Sequence, residues 1–156
     1  MISIWNLKEK THFINEVISY LWKEWGTENN YIFVERIIKN ITQSQTNDLP
    51  QVYIATKNNK LVGIITLLRN DLKSRQDLFP WLACLYVCEE YRGLHIGEAL
   101  QKHVLQESKK MEYEKVYLIT KLEGYYEKIG WNLMGYEPLV SGEMTKVYEI
   151  DITNIS

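Results

Sequence analysis

The 156 residues are the size of one ordinary domain, enough to bury a core without disulfides. Hydrophobic residues make up 46% and charged residues 24%, the balance of a soluble globular protein, and a formal net charge of -2 gives no electrostatic case for nucleic acid or an anionic membrane. No apolar run approaches a membrane span, and the start, MISIWNLKEKTHF, lacks a signal peptide's basic segment and apolar stretch, so a cytoplasmic location is expected.

After a short apolar start at Ile2 and Ile4, residues Phe13, Ile14, Val17, Ile18, Leu21, Trp22 and Trp25 recur at helical spacing, with Gly26 closing the helix. A second helix is predicted over Tyr31 to Gln43, with Val34, Ile37, Ile38 and Ile41 inward. QVYIAT and LVGIITLL, separated by KNNK, read as a β-hairpin. A charged connection, 69–78, leads to the strand WLACLYV at 81–87, where Pro80 suits a strand start. The next helix buries Ile96, Leu100, Val104 and Leu105. VYLIT is a short strand, YYEKIG at 125–130 a short helix, and WNLMGY and KVYEI are closing strands. This order predicts a single α/β domain over 1–156, built around a mixed sheet. Cys84 and Cys88 read as reduced core thiols, because side chains on one strand face lie too far apart to bridge and no second pair completes a zinc site; no metal is expected.

Between the strand and the third helix lies EEYRGLHIGEAL. A glycine-bearing turn that opens a helix exposes unpaired N–H groups at the positive end of the helix dipole, an arrangement suited to an anion such as pyrophosphate, with Arg92 adding charge. A nucleoside triphosphate P-loop and a dinucleotide fingerprint are both absent from the chain.

Two segments together resemble the GNAT superfamily of acyl-CoA-dependent N-acyltransferases. The first is Leu85-Tyr86-Val87 followed by Arg92-Gly93-Leu94-His95-Ile96-Gly97, and the second is Tyr125-Tyr126-Glu127-Lys128-Ile129-Gly130-Trp131. The resemblance spans nearly the whole chain and implies a GNAT fold with a mixed, mostly antiparallel sheet flanked by helices. Its one departure is His95, where the family most often has glycine. It further implies acetyl-CoA as acyl donor. The amides of 92–97 and of Glu98 would hold its pyrophosphate, and the strand at Leu85, Tyr86 and Val87 would pair with its pantetheine arm.

The expected reaction is acetyl transfer to a primary amine of a small molecule or peptide; a non-catalytic acyl-CoA-binding module is the alternative. A backbone N–H near Tyr86 or Val87 serves the oxyanion, and Tyr126, from the family's position, is the general acid, with Tyr125 as fallback. No carboxylate lies on the central strand, which favours a water relay as base, with Asp77 or Glu123 as alternatives, while Glu89 and Glu90 read as solvated. Trp81 is either an acceptor-pocket wall or a structural residue, and Trp22 and Trp25, with Glu24 and Glu28, are candidates for the opposite wall. The last strands offer edges for a homodimer.

Overall fold

A computed structural model describes residues 1–155, and seven strands among them form one sheet. The strands are β1 (Ser3–Asn6), β2 (Gln51–Lys57), β3 (Lys60–Leu68), β4 (Trp81–Val87), β5 (Lys115–Thr120), β6 (Asn132–Pro138) and β7 (Met144–Asp151), in spatial order β1-β2-β3-β4-β5-β7-β6. All pairings are antiparallel except β4 with β5. The β2–β3 turn is made by Asn58 and Asn59 at φ 50° and 62°, a backbone state that asparagine tolerates well.

Helices α1 (Ile14–Trp25) and α2 (Tyr31–Gln43) cover one face, where Val17, Ile18, Leu21, Ile38 and Ile41 pack on Val52, Ile54 and Ile64. Helix α3 (Ile96–Lys110) covers the other, burying Ile96, Leu100, Val104 and Leu105 against β2, β3 and β5. Ile37, expected inward, is 40% exposed because α2 turns only one narrow stripe to the sheet. The helix expected over 125–130 is a single 3-10 turn, Glu127–Ile129, which ends where Gly130 reverses the chain at φ 107°. Gly26 ends α1 in an extended conformation, and its N–H reaches the Trp22 carbonyl at 2.7 Å. Glycine is required there for space: a Cβ would lie 2.2 Å from the Trp22 indole.

Two irregularities shape the centre of the sheet. Strands β4 and β5 are paired only at Trp81 and Tyr117, so they diverge toward the C-terminal end of β4. Opposite Ile64 to Thr66, β4 is bulged, with Cys84 at φ 51°. The bulge resets the alternation, placing Leu82 against the α3-side core and Cys84 against the α1–α2 side. Cys84 and Cys88 are both free thiols.

Candidate active site

The divergence of β4 from β5 opens two adjoining cavities of about 670 and 680 Å³. They meet at Glu24, Leu85, Leu122 and Tyr126, which line both.

The cavity on the α3 side is walled by Tyr86, Val87, Arg92, Gly93, His95, Ile96, Gly97 and Glu98, with Tyr91 and Tyr125 added. No side chain caps α3, and the first backbone bond at its start runs from Ala99 N–H to the His95 carbonyl at 3.1 Å, so the N–H groups of Ile96, Gly97 and Glu98 point toward the opening. Gly93 sits at φ 83° with nothing within 4 Å of where a Cβ would be. His95 takes the left-handed conformation at φ 62° and ψ 22°, and its Nδ1 lies 3.3 Å from the Glu98 carboxylate at the surface. The turn therefore keeps its shape with a histidine in it. Leu94 does not line the cavity, and its side chain is 56% exposed.

Beyond Leu82 the β5-facing edge of β4 has no strand partner. Cys88 N–H bonds to Val62 of β3 at 2.9 Å, so by strand alternation the N–H groups of Val87 and Leu85 face the open edge. The Val87 carbonyl is already taken by Arg92 Nε at 2.9 Å, and the guanidinium stands 5.6 Å from the Tyr86 ring. Arg92 is thus tied to the strand as well as to the turn.

Tyr125 and Tyr126 diverge, their rings edge-to-face at 4.8 Å. Tyr125 points over the first turn of α3, where its hydroxyl accepts from Gln101 Nε2 at 3.4 Å. Tyr126 enters the slot where the two cavities meet. Its carbonyl accepts from Ile129 and Trp131 at 3.0 and 3.1 Å, and its ring packs against Trp131 and Tyr148. Burial pushes its phenol up to about 12, which keeps it protonated at neutral pH.

The second cavity continues along Ala83 and Cys84 of β4 and Leu118 to Thr120 of β5, with Glu24, Trp25 and Asp71 across from them. Asp71, from the connection after β3, is half-buried, and burial pushes its carboxyl up to about 6. Nothing local in RNDLKSRQDL distinguishes this carboxylate from its solvated neighbours, so only the fold reveals it. Burial, followed by the charge of Asp71, lifts the Cys84 thiol to about 11, which leaves it un-ionised and unsuited to nucleophilic attack.

Several expected residues lie elsewhere. Trp81 is fully buried with Leu72 and Val147, its Nε1 donating to the Leu78 carbonyl at 2.7 Å, so it is a core residue and no pocket wall. Trp22 folds over Gly26 and donates to the Thr27 carbonyl at 2.8 Å; Trp25 and Glu24 reach the cavity instead. Asp77 is clamped by Arg75 at 3.0 and 2.9 Å, and the side chain of Glu123 is 88% exposed beside Lys146. Neither lines the slot. Glu89 and Glu90 are exposed in a 3-10 turn.

The sequence profile of the acetyltransferase (GNAT) family matches residues 8–131, including both glycine-bearing segments and the strands that carry them. The chain belongs to the GNAT family. As a GNAT protein it is an acyl-CoA-dependent acetyltransferase, and the uncapped start of α3 fits the pyrophosphate of such a donor. Curated proteins give no match. Among solved structures, an aminoglycoside 6'-N-acetyltransferase complexed with coenzyme A is similar at 15% identity and TM-score 0.73, over 100% of this chain and 99% of that one. The ribosomal-protein-S18-alanine N-acetyltransferase from Escherichia coli matches at 17% identity and TM-score 0.67, over 100% and 97%. A spermidine N-acetyltransferase chimera from Vibrio cholerae and hSSAT matches at 16% and 0.70, over 97% and 96%. At these identities the likeness shows the GNAT fold.

Proposed function

We propose that this GNAT enzyme transfers the acetyl group of acetyl-CoA directly to a primary amine, with Tyr126 as general acid and Asp71 as general base. The observation that carries the reading is the position of Tyr126 at the junction of two cavities, one ending in the α3 cradle and the other holding Asp71. In this reading the cradle amides at Ile96, Gly97 and Glu98 bind the pyrophosphate, and the open N–H of Val87 or Leu85 takes the amide arm or the developing oxyanion. The donor supplies an activated carbonyl and a sulfur leaving group, so proximity accounts for much of the rate.

The amine nitrogen bonds to the carbonyl carbon and becomes far more acidic, and the Asp71 carboxylate accepts its proton. As the carbon–sulfur bond breaks, the Tyr126 hydroxyl donates toward the sulfur. An amine as acceptor is consistent with the structurally similar enzymes, which act on an aminoglycoside, a protein alanine and spermidine.

Calorimetry with acetyl-CoA, paired with a thiol-release assay on an amine panel, tests the reading. Saturable binding and amine-dependent thiol release are expected. Absence of binding at millimolar acetyl-CoA overturns the donor assignment, and binding without release on any amine returns the chain to a binding module.

A further inference from the structure

The acceptor cavity does not end at Asp71. Trp25, Asp71 and Cys84 also line a third cavity of about 380 Å³, which runs from the slot into the cleft between α1, α2 and β3. Its far walls are Leu21, Phe33, Val34, Ile37 and Leu68. Phe33 is 63% exposed and Ile37 40%, although α2 has polar residues available for a solvent-facing side. The chain thus keeps two large apolar side chains uncovered where the cleft opens. Lys73, from the β3–β4 connection, and the polar residues Asn30, Thr66 and Asn70 complete the lining.

From this continuity we infer that the acceptor is a small amine carrying one positive charge and an apolar aryl or branched alkyl body, its nitrogen at Asp71 and its body in the Phe33–Ile37 cleft. This rests on the acetyl-transfer reading and names its acceptor class. Two features select the class. The carboxylates Asp71 and Glu24 stand at the slot end, where an amine must reach the thioester. Beyond that doorway the cleft is mostly hydrocarbon, and among the described residues that line it none but Asp71 is a carboxylate, which disfavours the second and third cations of a polyamine or an aminoglycoside. The cavity volume suits one aryl-alkyl group, and apolar contact of that size is worth about tenfold or more in kcat/KM.

The test compares 2-phenylethylamine, ethylamine, spermidine, kanamycin and a short peptide with an N-terminal Phe as acceptors at saturating acetyl-CoA. Calorimetry of 2-phenylethylamine with the protein is run alongside. The expected result is that 2-phenylethylamine leads ethylamine by about tenfold or more in kcat/KM. Phe33→Ser and Ile37→Ser, both at exposed positions, should raise its KM at least about fivefold while the KM for acetyl-CoA holds. A kcat/KM for spermidine or kanamycin equal to that of the aryl amine overturns the class, as does preference for the peptide. Turnover of other amines with no heat from 2-phenylethylamine overturns the cleft while leaving acetyl transfer intact. Heat that is lost in Ile37→Ser, with no thiol release from any amine, supports the cleft and overturns the transferase reading.

Discussion

Tyr126 and Asp71 line one slot, the proposed mechanism gives them opposite tasks, and burial raises the pKa of both. A phenol raised to about 12 stays a donor, while a carboxyl raised to about 6 is ionised at neutral pH yet more basic than a solvated one. Tyr126→Phe is expected to lower kcat by about a hundredfold, with acetyl-CoA binding changed by less than about threefold; single-turnover kinetics beside calorimetry separate the two. For Asp71 the pH argument has two parts. Its base form accumulates above about 6, so kcat/KM should rise through that pH, and Asp71→Asn should lose this limb and retain only the titration of the amine. The folded-state pKa also lies above the ordinary aspartate value, so the native protein binds the proton more tightly than the unfolded chain does. Stability from this group is therefore greatest below about pH 4 and falls as pH rises toward 6. Asp71→Asn should accordingly raise Tm at pH 7 and leave it unchanged at pH 4, gaining stability as it loses activity.

At the scale of elements, the start of α3 concentrates the requirements of the cradle. His95 holds a left-handed conformation that costs an ordinary L-residue about 1 kcal/mol relative to glycine, although histidine is among the residues that enter this region more readily. His95→Gly should raise Tm by about 2–4 °C, read by calorimetric melting, without weakening acetyl-CoA binding. The glycine turn before α3 was legible in the sequence as glycines beside a helix start, and Tyr126 was singled out through the likeness of its segment to the family's motif. The hairpin and three helices were legible too, their periodicity being local. Asp71, Leu122 and Trp25 were hidden or only half-seen, because they come to line one cavity only when distant segments meet on folding. Trp81 illustrates the converse. An aromatic residue opening a strand reads equally as wall or core, and burial against Leu72 and Val147 decides it.

On the scale of the whole molecule, the sheet is two blocks, β1 to β4 and β5 to β6, joined edge to edge at the single Trp81–Tyr117 pair. Core continuity across the gap comes from α3, whose buried residues share one cluster with Leu82, Val116 and Leu118. Acetyl-CoA should therefore act on the seam more than on either block. In hydrogen exchange, the amides of Leu85 and Val87 should exchange quickly in the free protein and slow down with acetyl-CoA. Tyr86, paired with Ile64 of β3, should be slow in both states.

The parting of β4 from β5 leaves a raw strand margin in the interior of the sheet, the kind of unpaired edge that usually recruits another chain. Here its recess governs what can reach it. A β-strand from another protein brings side chains on both faces and meets the walls formed by Tyr126, Leu122 and Tyr86. A thin, unbranched amide segment of the proposed donor would carry no side chains to meet those walls. In the proposed reading the fold admits visitors to its sticky margin by girth, reserving for one slender molecule what an open margin would offer to aggregation.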